Sequence, residues 1–482
     1  MRILSANSMS LTDSRSMKDL NVDEIALVKK AALACFEIIN NRISKDKKIG
    51  IVCGNSNNSS DGFCLANILK DNDYDVSVFY FFDLNKMNKT CRHFYDLVSD
   101  VDSNTNNLNK CDVLIDCIIG NGLRGPLRDD VTSIVEKMNE CDGYKIAIDI
   151  PTGLDSTNGT FNPVCFKVDL TICINNIKLG CLLNDGVDVC KDIEVVDIGL
   201  KQYDDLDYFE VINPSTFKFN EKKNVNKYDF GSVLVIGSNV SMPGAGIMSS
   251  ISALKAGCGL ATLACPYENL DIVSIKAPYE VMVKCVDDED LLNKKDTVVF
   301  GPGLKRDDKY IPLLRDLLSR DINLIVDADG LGLLSKIGDI KDIKKCRLVI
   351  TPHMGEAARL LNDTSANIKN DILGSFKKLI DIYDCIVVLK GHNTLVGDKD
   401  SYFISLSGNA GMASAGSGDV LSGIIAGCAL KRQDIDSVKK AVYIHGLAGD
   451  IAKEKVGETS LVASDIIDNI SSAITKIKKE IK

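Results

Sequence analysis

Short apolar runs, each closed by a glycine-, asparagine- or aspartate-rich loop and followed by a helix-length segment, recur along this chain and constrain it more than any other feature. In the first half they read KKIGIVCGN, YDVSVFYFF, CDVLIDCIIG, YKIAIDIPTG, VDLTICIN and IEVVDIGL. Strands buried on both faces are continuously hydrophobic, so this alternation predicts a mostly parallel sheet with helices on both sides. Between 201 and 229 the pattern lapses into KQYDDLDYFE and NEKKNVNKYD, a linker-like stretch. It restarts with FGSVLVIGS, continues through DTVVFGPG, INLIVDADG, RLVITPH and CIVVLKG, and ends in a helical third with a basic tail. The reading is two α/β domains, 1–213 and 214–482.

Length and composition agree with two cores. The chain has 482 residues, 45% hydrophobic and 26% charged, which is near a globular average. A net charge of -10 disfavours nucleic acid or an acidic membrane as partner, since phosphate surfaces require a basic stripe. The opening MRILSANSMSLTDSRSMKDL lacks the apolar centre of a secretory signal, and no later run is long enough to span a bilayer, so a cytoplasmic protein is expected. Seventeen cysteines are dispersed, many inside strand-like runs, and read as reduced, buried thiols. No CxxC pair occurs, and His93, His353, His392 and His445 are far apart in sequence, so no structural zinc is expected.

The richest chemistry lies in SGNAGMASAGSGDVLSGIIAGCAL, residues 407–430, where small residues end in an aspartate at the start of an apolar helix. Gly416, Ser417 and Gly418 would turn the backbone so that N–H groups converge on an anion. Asp419 beside them would accept a proton from an attacking hydroxyl while the cradle neutralises the transferring phosphoryl group. The alternative is an ordinary loop with a helix-capping aspartate. TPHMGEAARLL and LKGHNTLVG each follow a strand, and such loops gather at the carboxyl ends of an open α/β sheet, where ligands bind. Asp327 and Asp329 in VDADG either help hold a magnesium-bound phosphate or cap a helix.

In order, GSVLVIGSNVSMPGAGIMSSISALKAGCGLATLACP, FGPGL, VDADGL, TPHMGEAARLL, LKGHNTLV and SGNAGMASAGSGDVLSGIIAG resemble the ADP/ATP-dependent NAD(P)H-hydrate dehydratase family. That resemblance implies a ribokinase-like fold and a reaction that phosphorylates the hydroxyl of the hydrated nicotinamide ring with ADP and Mg2+, then eliminates phosphate. It implies that Ala245, Gly303, His353 and Asp419 contact the hydrated dinucleotide, and that Lys390, Gly391, His392, Asn393, Thr394 and Gly418 bind ADP. Each has a plainer reading: close helix packing for Ala245, a turn for Gly303, a helix cap for His353, a solvated strand end for Lys390.

The first half carries three comparable loops: the strand–loop–helix IGIVCGNSNNSSDGFCLANILK, then DCIIGNGLRGPLRDD and AIDIPTGLDSTNG. They resemble the NAD(P)H-hydrate epimerase domain, which implies a Rossmann-like three-layer fold and exchange of the two epimers at the hydrated carbon. By motif position Asn57, Asn58, Ser59, Ser60, Asp61, Gly120, Asn121, Gly122, Leu123, Arg124, Gly125, Pro126 and Asp149 would contact substrate. Asn58, Asp116 and Thr152 would hold potassium, and Asp149 with Lys178 would be the acid/base pair. The same positions read plainly as caps and turn residues. The match departs where the family carries paired glycines and this chain has Ser59 and Ser60, and where Asn121 replaces threonine. Two readings of this half therefore stand: a working epimerase, or a non-catalytic binding or dimerisation module. For the whole chain, the rival to hydrate repair is a small-molecule kinase of the ribokinase-like superfamily. Small-molecule substrates and a homo-oligomer are implied in the first case.

Overall fold

The computed structural model describes residues 1–219, 222–430 and 433–481. Contacts divide the chain into Met1–Phe209 and Glu210–Lys482, slightly ahead of the expected break near 213.

In the first unit all six apolar runs become strands of one parallel sheet, ordered Asp75–Tyr80, Lys48–Cys53, Val113–Cys117, Tyr144–Ile148, Leu170–Ile174 and Asp192–Val196. Helices Glu24–Arg42 and Asn57–Asp71 bury Val28, Cys35, Phe63 and Leu65 on one face. Helix Asp129–Glu140 buries Val131, Val135 and Met138 on the other. From Lys48–Cys53 the chain goes out to Asp75–Tyr80 and returns to the opposite side at Val113–Cys117. That reversal opens a crevice at the carboxyl ends of those strands, where GNSNN and IIGNG emerge. The opening segment, read above only as lacking a signal, forms strand Arg2–Leu4, paired in parallel with Ile177–Lys178, and helix Ala6–Leu20.

In the second unit seven strands run parallel in the order Val281–Cys285, Leu260–Cys265, Ser232–Ile236, Thr297–Phe300, Asn323–Val326, Arg347–Ile350 and Ile386–Leu389. An antiparallel pair, Leu395–Gly397 and Tyr402–Ile404, extends the sheet. The helical third forms Ser417–Cys428, Ile435–Val456 and Ala463–Ile481, which pack with Pro243–Ala256 around Ala253, Val420, Ile424, Ala448 and Ile470. Gly423 lets two of them touch: a Cβ there would lie 2.1 Å from the Ser249 carbonyl oxygen. Of the expected linker, 208–211 is a strand and Ile212 and Phe217 join this core, while 220 and 221 lie outside the described residues. Residue 482, the end of the basic tail, lies outside them as well. All seventeen cysteines are free thiols, buried except for the half-buried Cys285 and Cys428.

Candidate active sites

In the first unit Asp149 leaves strand Tyr144–Ile148 with φ 72°, a left-handed conformation that costs a non-glycine residue on the order of 1–3 kcal/mol and is held by its surroundings. Its N–H donates to the Ile172 carbonyl at 2.8 Å, one carboxylate oxygen pairs with the fully buried Lys178 ammonium, and the other accepts from the Asn121 N–H at 3.2 Å. Lys178 also donates to the Ile174 carbonyl at 3.0 Å. Burial works against its charge, but the charge and hydrogen bond of Asp149 outweigh this and hold its ammonium above its ordinary range.

Asp149 borders a cavity of about 380 Å³ lined also by Asn57, Asn58, Asp61, Gly120, Asn121 and Gly122, with Lys178 buried behind it. Asn121 braces the rim, its amide donating to the Ala6 carbonyl at 2.9 Å and the Ser10 hydroxyl at 3.2 Å. Asn57 is itself occupied, donating to Glu24 and accepting from Asn88, both at 2.6 Å. Asp61 is buried and has its carboxyl pushed well up, first by desolvation and then by Asp149 and Asp13.

Not every residue named for substrate contact lines this cavity. Ser59 and Ser60 are fully buried and do not line the cavity; the Ser59 hydroxyl accepts from Gly54 N–H at 2.7 Å and donates to the Cys117 carbonyl at 2.7 Å. Their Cβ atoms face the protein, because the first helical turn is stitched onto the neighbouring strand. Leu123, Arg124, Gly125 and Pro126 also fall outside the lining; Arg124 turns back onto the carbonyls of Asn121 and Leu123.

The oxygen-rich trio divides similarly. Asp116 accepts from the Thr152 N–H at 2.7 Å, the Thr152 hydroxyl at 2.7 Å and the Ile118 N–H at 3.0 Å. Burial raises its carboxyl to about 6, against these bonds. The Asn58 amide donates to the Ile148 carbonyl at 3.1 Å, leaving its buried Oδ1 without a partner among the described residues.

In the second unit Asp419 lies in the first turn of helix Ser417–Cys428, but the cap is Gly416 at φ 92° and no side chain caps that end. The capping alternative therefore fails for Asp419. Burial, reinforced by Asp327 and opposed by Lys390, lifts its carboxyl to about 7. A Cβ on Gly418 would stand 3.3 Å from the Lys390 ammonium, so cation and helix amino terminus adjoin. Lys390 is not a solvated strand end: it donates to the buried Asp327 carboxylate at 2.9 Å and lies 3.6 Å from Glu356. Asp329 instead accepts from the Lys305 N–H at 2.9 Å and Arg306 at 3.1 Å, and does not cap.

His353 does cap helix Met354–Leu360: its Nδ1 accepts from the Gly355 N–H at 3.0 Å, and its own N–H donates to Glu356 at 2.9 Å. It also lines a cavity of about 590 Å³ with Lys390, Gly391, His392, Thr394 and Gly418, whereas Asn393 does not. Ala245 and Gly303 are brought together elsewhere; a Cβ on Gly303 would lie 2.9 Å from that of Ala245, and Gly303 has φ 60°.

Residues the sequence did not single out complete the site. His445 has its Nε2 3.0 Å from the Ser417 carbonyl, and burial drops its pKa to about 4, so it is neutral and donates. The Asp450 carboxylate accepts from the Gly408 N–H and the Asn409 amide, both at 2.9 Å, fixing the loop over the cavity. Both lie on helix Ile435–Val456, whose HGLAGD run reads simply as helix; only helix packing brings it over the loop.

Residues 233–472 match the NAD(P)H-hydrate dehydratase family model, and 24–180 match the one described as YjeF-related protein N-terminus. A Coxiella burnetii bifunctional NAD(P)H-hydrate repair enzyme is 30% identical over 98% of this chain and 99% of its own length. This chain belongs to that family. The Escherichia coli bifunctional repair enzyme is 29% identical, over 93% of this chain and 89% of its own. A Bacillus subtilis ADP/ATP-dependent NAD(P)H-hydrate dehydratase, solved with ATP and Mg2+, superposes with TM-score 0.51 at 20% identity, over 56% of this chain and 99% of that one, and shows the ribokinase-like fold of the repair enzyme's second unit.

Proposed function

We propose that the two units carry out successive steps of hydrated NAD(P)H repair, with residues 1–213 exchanging the epimers and 214–482 dehydrating one of them at the expense of ADP. The observation that carries the dehydratase assignment is the convergence of Lys390, Gly418 and Asp419 at the start of helix Ser417–Cys428. Asp419 takes the proton of the ring hydroxyl as its oxygen attacks the β-phosphorus of ADP. Lys390 and the Gly416–Gly418 amides stabilise the charge that develops; the new ester then loses phosphate as the ring nitrogen supplies its electron pair, and a proton leaves the adjacent ring carbon so that the ring double bond is restored. The products are NAD(P)H, AMP and phosphate. Gly303, Ala245 and His353 receive the dinucleotide, while Gly391, His392, Asn393 and Thr394 receive the nucleotide.

Mg2+ fits as an ion that arrives with the phosphates. Among the described residues no group of three or more His, Cys, Asp or Glu side chains could hold a metal, and Mg2+ commonly takes one or two carboxylates plus phosphate oxygens. Asp327 would hold it, and the ion would neutralise phosphate charge. Potassium fits Asn58, Asp116 and Thr152, an all-oxygen set in which the Asn58 Oδ1 is buried without a partner. Bound there, it would fix the loops bordering the crevice. Replacing potassium with lithium should slow epimer exchange and leave dehydration unchanged; equal exchange in both salts would refute this assignment.

Three features support a working epimerase over a bare binding module: the Asp149–Lys178 pair, the carboxyl and amide side chains on the cavity lining, and Ser59 and Ser60 facing away from it. The test is to incubate the protein with both epimers of hydrated NADH, ADP, Mg2+ and K+, and follow reduced-nicotinamide absorbance. Full recovery with release of AMP and phosphate, lost in Asp419→Asn, is expected. Accumulation of a phosphorylated compound would instead favour the kinase reading.

A further inference from the structure

Helix Ala6–Leu20 brings one acidic side chain, Asp13, to the crevice that holds Asp149, Asp61 and Asn58. Nothing about a surface helix requires an acid at a partly buried position. Among the described residues Asp13 has no hydrogen-bond or ion-pair partner, so it neither caps the helix nor ties it down. The helix is instead held by Ala6 and Ser10, which accept from the Asn121 amide, so the backbone carrying Asp13 is anchored to the rim. The crevice thus has four carboxyl groups on its lining, Asp13, Glu24, Asp61 and Asp149, and the buried Lys178 ammonium lies behind Asp149; Glu24 is engaged by Asn57 and Thr90, which leaves the other three.

These acids have different means of carrying a proton. Asp149 is tied up in an ion pair with Lys178. Asp61 is buried, with its proton bound far more tightly than usual. Asp13 lies between these extremes: burial, opposed by Lys178 and reinforced by Asp149, brings it to about 7, so it can both give and regain a proton near neutrality.

Epimer exchange at a carbon bearing a hydroxyl and bonded to nitrogen needs such a group. On the reading above that this unit is an epimerase, we infer that Asp13 is a second catalytic acid, protonating the departing hydroxyl while Asp149 serves the attacking water. The carbon–oxygen bond breaks as the ring nitrogen's electron pair forms a carbon–nitrogen double bond, and the hydroxyl leaves as water with the proton from Asp13. A water then adds to the opposite face, the double bond's electrons return to nitrogen, and Asp149 accepts the proton of the added water. One proton enters and one leaves, and exchange with solvent resets both carboxyl groups. No oxidant or reductant is needed.

The experiment measures epimer exchange in the full chain with a single purified epimer, without ADP, across about pH 5.5–8.5. Asp13→Asn should lower the rate about 10²–10⁴-fold. It should also abolish the loss of rate that wild type shows as pH rises through about 7, where a catalytic acid is deprotonated. Asp13→Glu should restore part of the rate together with that limb, and dehydration of the usable epimer with ADP should be unchanged in both variants. An Asp13→Asn protein with wild-type rate and pH profile overturns the inference while leaving the epimerase reading intact. A wild-type protein no faster than spontaneous exchange overturns the epimerase reading itself, and this inference with it. A slow variant that keeps the wild-type limb also overturns it, because a merely structural helix would not govern that titration.

Discussion

The Lys390 ammonium donates to the Asp327 carboxylate at 2.9 Å, and both lie at carboxyl ends of strands in the second unit's sheet. Asp327 is almost wholly buried, and Lys390 is the cation paired with it. Removing the cation strands the anion. Lys390→Met is expected to cost about 3–5 kcal/mol of stability in urea unfolding, and Lys390→Met with Asp327→Leu to recover most of it. Dehydratase activity is lost in both, so stability and function separate.

Asp419 makes the opposite trade. Its carboxyl titrates at about 7 in the fold against an ordinary 3.8, which means that the folded protein favours the protonated form. The stability this confers is present below the ordinary value and lost as pH rises through about 7. Asp419→Asn should therefore melt with wild type in acid but higher than wild type at about pH 8, while kcat falls about 10²–10⁴-fold. Wild-type dehydration should gain rate as pH rises through about 7, as the base ionises. A differential scanning series and a pH–rate profile check both halves; a variant less stable than wild type at alkaline pH contradicts the first.

Asp149 combines a left-handed backbone with an ion pair. Asparagine tolerates that conformation, whereas most side chains do not. Asp149→Asn is expected to fold with a melting temperature closer to wild type than Asp149→Leu and to abolish epimer exchange while sparing dehydration. Circular-dichroism melts and separate assays of the two steps read the result.

Gly303 sets the spacing between its turn and Ala245. With φ 60° and an added Cβ only 2.9 Å from both the Ala245 Cβ and the Met242 carbonyl oxygen, Gly303→Ala is strained by backbone and contact together. The expected result is a rise of about tenfold in KM for the hydrated dinucleotide, equivalent to roughly 1.4 kcal/mol, with KM for ADP unchanged. Equal effects on both substrates would move Gly303 to a shared structural role.

Much of this was legible in the residues alone. The strand runs, the two-domain division and the loops that bear Asp149, Asp419 and Lys390 follow from local pattern, since a parallel sheet leaves continuous apolar runs and polar loops in the chain itself. The antiparallel pair at 395–404 and the edge strand Val281–Cys285 were too short and too mixed to stand out. Sequence order could not say which side of a helix Ser59 and Ser60 occupy, because that depends on the strand the helix is stitched to. Nor could it bring Asp13, His445 or Asp450 to a site, or join Lys390 to Asp327 across 63 positions. Such pairings depend on strand order, helix packing and burial, and so do the electrostatics: a carboxyl at about 7 exists only when water has been excluded and neighbouring charges are fixed around it.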